Sequence, residues 1–315
     1  MESSITQAQS GKLGRAGKAT KIKADRSPSE RAFVGFIYAF TGLFAIVCLL
    51  PFWIVAINSF ADESAIKRHG YQLIPKIFST GAYEFLFRGK QVASSYLVST
   101  TVTVAGTVLA VLITAMYAYV LAHPKVKYRS VLSFLTYFTM IFGAGLVGFY
   151  ILIANWLHLK DTLWALILPY LLNPFFAFIM VSFFRTLPYE INEAATVDGA
   201  NDLRIFFGII LPISKPVIAT VGLFYALQYW NDFFLALLFI DDYKLHPLQI
   251  MIRQLISNIN IGAYVGGSQT NYGQPLPTYS VQLATVCVTI GPIFLLYPFI
   301  QRYFVKGITI GALKG

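Results

Sequence analysis

An all-α, polytopic membrane protein with six transmembrane helices and both termini in the cytosol is the fold class that three observations predict. First, 57% of the 315 residues are hydrophobic and only 12% are charged, with a mean hydropathy of +0.64. A soluble globular chain carries roughly a quarter of its residues charged, so composition alone excludes that class. Second, six apolar stretches, at 33–57, 98–120, 131–154, 163–184, 217–240 and 281–300, each come near the ~20 residues that a helix needs to cross a bilayer. Third, with the N-terminus placed inside, sixteen of the twenty-four Lys and Arg residues fall on the cytosolic side. That excess is the positive-inside pattern.

The net charge of +10 raises the question of nucleic acid, but the basic residues sit at the ends of apolar runs and in the N-terminal segment. They lack the interleaved aromatics of a base-stacking surface, and no nucleic-acid partner is expected. Cys48 and Cys287 both lie in apolar stretches, where a thiol packs as a small hydrophobe. Neither a disulfide nor a metal site is expected.

Residues 1–31 hold seven Lys or Arg and little that is apolar, which predicts a disordered cytosolic tail. Its Gly11-to-Ala19 stretch glances at a phosphate-binding loop, but the spacing fails and Ala19 stands where Ser or Thr is needed. No short apolar core with a small-residue cleavage site follows, so no cleaved signal peptide is expected. The membrane domain is assigned to 32–302, and 303–315 to a C-terminal cytosolic tail. The first outside loop, 58–93, is long and mixed in character, and a loop of that length is usually ordered by something. It is either a docking surface for an extracytoplasmic partner or a packed cap over the helices. The second span is rich in Thr and the third carries Gly143, Gly145 and Gly148, residues that let transmembrane helices approach closely. In the fourth, Pro169 and Asn173-Pro174 interrupt the backbone ladder and predict a kink.

Between the fourth and fifth spans lies a polar, acidic island, the loop 185–216, which must sit in water. Its pattern reads helix, turn, helix. Pro188 suits a first helical turn, Glu190 and Glu193 suit the positive end of a helix, and Gly199 can take the left-handed conformation that stops one. Asn201 or Asp202 then caps a second helix with an apolar face from Phe206, Phe207, Ile209 and Ile210. The series Glu193-Ala194-Ala195, three residues, Gly199, nine residues, Ile209-x-Leu211-Pro212 resembles the EAA loop of permease subunits in ABC importers, with every anchor at its spacing. The resemblance implies an all-α permease whose cytosolic EAA coupling loop seats in a cleft of a separate ATPase subunit. Glu190, Glu193, Ala194, Ala195, Asp198, Gly199, Leu211 and Pro212 would form that coupling surface, Ala194 and Ala195 giving a smooth face for close approach. The plainer alternative is a cytosolic amphipathic hairpin with no partner.

The fifth span carries Tyr225, Gln228, Tyr229, Asn231 and Asp232, and Asp232 is the only acid inside any predicted span. A carboxylate at mid-membrane costs about 2.5–3.5 kcal/mol even on insertion scales, so Asp232 must face protein or a water-filled cavity. Tyr225, Gln228, Tyr229 and Asp232 recur at three and four residues and form one stripe. Aromatic faces beside hydrogen-bonding side chains suit a sugar. The run Trp230-Asn231-Asp232-Phe233 also resembles a feature of carbohydrate-importing permeases. These residues are either a substrate pathway or a polar knot that locks a helix pair. Ion-coupled secondary transport through Asp232 is the competing function. A membrane enzyme acting on lipid-linked glycans lacks paired carboxylates or a His cluster, since His69, His123, His158 and His246 are scattered.

In the last outside segment, 245–261 reads as an amphipathic helix with Leu248, Ile252, Leu255, Ile256 and Ile259 on one side and Arg253 opposite. In related permeases this region meets the solute-binding protein. The Gly-rich C-terminus, with Lys306, Gly307, Gly311, Lys314 and Gly315, resembles that of maltose-type permeases, where the tail reaches into the ATPase dimer; a frayed end is the alternative. The resemblance as a whole implies a multi-pass protein of the cell (inner) membrane, not an enzyme, that pairs with a second permease subunit, an ATPase dimer and an extracytoplasmic solute-binding protein. It would bind no cofactor, ATP and Mg being held by the ATPase. The substrate would be an oligosaccharide, including fragments of acidic polysaccharides such as alginate or pectin. The spans hold no Lys or Arg to pair with a uronate, so an acidic substrate would need basic groups elsewhere.

Overall fold

The structure is a computed structural model that describes residues 28–88, 90–143, 145–265 and 279–291. Among these residues it is helical, without strands; a single antiparallel bridge joins Ala61 to Phe78. Of the tail expected at 1–31, residues 1–27 lie outside the described residues, while 28–31 are helical rather than disordered; the glycine-rich stretch 266–278 and the C-terminal residues Lys306, Gly307, Gly311, Lys314 and Gly315 also lie outside them.

Two compact units divide the chain, Met1–Phe52 and Trp53–Gly315. The first is described from α1 (Pro28–Asn58), 31 residues long. At ~1.5 Å per residue this helix exceeds the thickness of a hydrocarbon core. Phe36, Tyr38, Phe44, Val47 and Trp53 along it are exposed, an apolar exterior that water does not tolerate at this length.

The second unit begins at the end of α1. The loop expected at 58–93 contains two short helices, α2 (Glu63–His69) and α3 (Gly81–Arg88). It is ordered by Asn58, which is buried, donates to the carbonyls of Ile54 and Gln72 at 2.8 and 2.7 Å, and accepts from Gln72 N–H at 2.9 Å. α4 (Gln91–Ala122) is the central strut. It has no charged residue and no proline, and its Gly106, Ala110, Ala115 and Ala118 form a buried face of small residues. α8 (Pro174–Phe184) and α12 (Lys215–Asn231) pack on that face, so the core lies along α4.

Three of the six expected spans are broken helices. The third ends as α5 (Arg129–Ile141) and resumes as α6 (Gly145–Ile151) with a π-helical turn at Leu152–Trp156. Among the described residues its glycines meet no close neighbour, since a Cβ on Gly143, Gly145 or Gly148 would find nothing within 4 Å. The close contact lies at Gly106, described below. The fourth is α7 (Trp164–Ile167) with a 3₁₀ turn at Leu168–Tyr170, then α8, bent by 48° where Asn173-Pro174 predicted a kink. Asn173 Oδ1 caps α8 by accepting from Phe175 N–H at 3.0 Å.

The fifth differs from the continuous helix expected at 217–240. α12 stops at Asn231, and α13 (Phe234–Phe239) restarts after Asp232, whose backbone is extended. The cause is local: Asp232 Oδ2 accepts from Leu235 N–H at 3.1 Å and takes up an end group of α13. Beyond α13, Asp161 accepts the N–H groups of Asp241 and Asp242 at 2.6 and 3.0 Å and fastens two connections together. Those N–H groups, Asp242 foremost, hold its carboxyl below the ordinary value of 3.8. α14 (Leu248–Val265) follows, close to the expected 245–261, with Leu248 and Ile252 buried and Arg253 exposed. α15 (Tyr279–Gly291) is capped by Glu63, which accepts from Tyr279 and Ser280 N–H at 3.0 Å each.

Candidate functional site

The polar hairpin is built by local signals. α9 (Glu190–Val197) ends at Gly199, whose φ of 81° is the left-handed conformation expected of it. Ala200 N–H then reaches back to the Ala195 carbonyl at 3.0 Å. Asn201 caps α10 (Asp202–Ile205) by accepting from Arg204 N–H at 2.8 Å. A π-helical turn at Phe206–Ile210 and α11 (Leu211–Ile213) complete an arm that meets α12 at an 84° bend.

One face of the hairpin grips the end of α4. Tyr119 donates its hydroxyl to Asn192 Oδ1 at 2.9 Å, and its ring lies 5.4 Å from that of Phe206. Asn192, Ala195, Ile205, Phe206 and Ile210 are buried against the chain. Ala195 thus turns toward the chain while Ala194 stays exposed. Adjacent helical residues point about 100° apart, so the inward turn of one leaves only Ala194 outside. Leu211 is half-buried and packs on the same core.

The other face carries Glu190, Glu193, Ala194, Asp198, Gly199 and Pro212, all exposed, with Val197 at 87% and Leu203 at 60%. An acidic rim thus surrounds apolar side chains, the composition of a surface that another protein covers. Lys125 lies 4.0 Å from Glu193, and the Tyr189 hydroxyl, more than Glu193, raises its ammonium pKa. A cleft of about 460 Å³ beside the hairpin is lined by Tyr119, Lys125, Tyr189, Asp202 and Leu203.

The residues of the fifth span are brought only partly together. Tyr225, fully buried, shares a hydrogen bond with Thr114 at 2.6 Å and accepts from Asn173 N–H at 2.9 Å. Tyr229, also buried, donates to the Ile167 carbonyl at 2.9 Å, and its ring lies flat against Gly106. Asp232 Oδ1 accepts from Tyr170 at 2.9 Å. Each thus closes a contact between α12 and the broken fourth span or α4. Gln228 is half-buried; Asn231 is exposed and donates to the Leu227 carbonyl at 2.9 Å. Tyr119, Asn192, Gly106, Thr114, Tyr170 and Asn173 escaped the reading of the sequence. Only Asn173, before Pro174, and the Thr-rich second span carried a signal, the first read as a kink and the second as a packing feature. Among the described residues no three His, Cys, Asp or Glu cluster as a metal site.

Residues 106–310 match the family model described as the binding-protein-dependent transport system inner membrane component. The chain is 39% identical, over 91% of its length and 99% of the relative's, to the polygalacturonan/rhamnogalacturonan transport system permease protein YtcP of Bacillus subtilis (strain 168). It is 40% identical to Protein LplC of the same organism, over 88% of this chain and 92% of that one. A solved structure, titled as a bacterial ABC transporter involved in the import of the acidic polysaccharide alginate, contains a chain 28% identical with a TM-score of 0.77; the match covers 89% of this chain and 99% of that one. The TM-score shows that the helical fold of that chain and of this one is shared. The chain is a multi-pass inner-membrane permease, not an enzyme, and belongs to the binding-protein-dependent transport system inner membrane component family as a permease of the carbohydrate ABC importers.

Proposed function

We propose that the chain is one of two permease subunits of an ATP-driven importer of oligosaccharides that carry uronate units. It crosses the membrane six times with both ends in the cytosol. A solute-binding protein delivers the sugar on the outside, and a dimeric ATPase, which holds ATP and Mg, docks on the hairpin. The observation that carries the coupling role is the two-sidedness of the hairpin. Glu190, Glu193, Ala194, Asp198 and Gly199 face outward, while Asn192 is fastened to α4 through Tyr119. A partner that moves the outer face must move α4 with it. The bundle then has two arrangements whose balance ATP shifts. The tail with Lys306, Gly307, Gly311, Lys314 and Gly315 adds a second contact to the ATPase.

The substrate class rests on the relatives' names, two of which concern acidic polysaccharides. Within this reading Tyr225, Tyr229 and Asp232 are scaffold, because their polar atoms are taken up inside the bundle. Asn231, exposed, belongs to the pathway. No observation favours the ion-coupled alternative, since the Asp232 carboxylate is engaged by Tyr170 and Leu235.

Gly199→Val and Glu193→Lys test the coupling role. A β-branched residue at a φ of 81° costs about 1–3 kcal/mol and deforms the turn. In vesicles with normal subunit levels, both variants are expected to lose ATP-driven uptake while remaining inserted. Wild-type uptake by either one sinks the proposal.

A further inference from the structure

The sequence left an acidic substrate without a cationic partner in the spans, and the fold supplies one from outside them. Between Pro216 and Gly291 the only basic residues are Lys244 and Arg253. The break after α12 exposes the ring of Phe233, and α14 brings the Arg253 guanidinium over that ring, 4.8 Å from its centroid. Arg253 is itself exposed. Among the described residues no carboxylate pairs with it, and Asp232, the acid of the break, is already held by Tyr170 and Leu235. Asn231, next to the break, is exposed, and beyond its bond to the Leu227 carbonyl its amide oxygen meets no donor among the described residues.

A guanidinium stacked on a ring keeps its N–H edges free and loses little further entropy when they bind. Those edges match a carboxylate in a two-pronged geometry that an ammonium cannot reproduce. Beside them stands the Asn231 amide, which suits a hydroxyl of the sugar. The carboxylate and a hydroxyl of a uronate unit thus find partners at the end of α12 away from the hairpin, with Phe233 holding the guanidinium in place.

We infer that Arg253, carried on Phe233 beside Asn231, is the substrate-reading residue of this permease and binds the carboxylate of a uronate unit as the oligosaccharide enters. This rests on the uronate reading given above. A lysine in place of Arg253 would keep the charge and weaken the fit, and a leucine in place of Phe233 would remove the ring that holds the guanidinium.

The test uses the complete reconstituted importer with its binding protein. Uptake of a galacturonate trimer is compared with uptake of the same trimer with its carboxyls reduced to alcohols. Arg253→Gln is expected to slow uronate uptake about tenfold and leave the neutral analogue unchanged, with Arg253→Lys in between. Phe233→Leu is expected to act in the same direction as Arg253→Gln. Uronate uptake at the wild-type rate in Arg253→Gln overturns the inference, as does an equal loss for both sugars. A weakened grip of Arg253→Gln on the empty binding protein assigns the residue to docking and overturns it too. If the wild-type importer takes only the neutral trimer, the substrate reading itself falls and this inference goes with it.

Discussion

At the scale of single residues, the glycines divide by what stands opposite them. A Cβ added at Gly106 would lie 2.7 Å from Cζ of Tyr229, closer than packed atoms approach. The ring has little freedom to retreat, because its hydroxyl is bonded to Ile167 and Tyr170 lies against its edge, 5.9 Å between centroids. Gly148 faces open space. Gly106→Ala is therefore expected to destabilise the purified protein by about 1–3 kcal/mol, the usual cost of overpacking, while Gly148→Ala is silent. Thermal unfolding in detergent reads the difference, and equal midpoints for the two variants contradict the packing described here. The sequence could not rank these glycines. Gly106 is singled out by a tyrosine on a different helix, and the three expected to pack have no such partner among the described residues.

Elements were legible where their signals are local. The hairpin followed from Gly199, Asn201 and the acids of its first turn, and the kink of the fourth span from Asn173-Pro174; both sit where expected. The break in the fifth span was hidden because apolar residues continue on both sides of Asp232. Its cause is the carboxylate's grip on Leu235 and Tyr170. The helices of the first loop were hidden for the opposite reason: they are short, polar and fixed by Asn58 and Glu63 through contacts distant in sequence. The hairpin also owes its rigidity to one such contact, Tyr119 with Asn192. Tyr119→Phe removes that hydroxyl and keeps the ring on Phe206. A hydrogen bond of about 1 kcal/mol corresponds to about a fivefold change in a two-state balance. Sugar taken up per ATP hydrolysed is thus expected to fall severalfold, with subunit levels unchanged. An unaltered ratio would show that α9 drives the bundle without this link.

For the whole molecule, the proposed orientation rests on charge. Seven of the basic residues precede the first span, and three lie in each of the next two connections on that side and at the C-terminal end. Moving them across would oppose both the insertion bias and the pull of anionic headgroups, about 1 kcal/mol for each surface Lys or Arg. The fold adds a geometric condition, because the connection after α4 meets the hairpin through Lys125 and Glu193 and must share its side. Ser130 follows that connection, and Tyr243 stands at the other end of α12 and α13. Both side chains are exposed, so a cysteine at either disturbs little. With Cys48 and Cys287 first replaced by Ser, a membrane-impermeant maleimide on intact cells is expected to label Tyr243→Cys at once. Ser130→Cys should label only after the membrane is permeabilised. The reverse pattern would place the acidic hairpin outside the cell, away from any ATPase, and remove the physical basis for coupling.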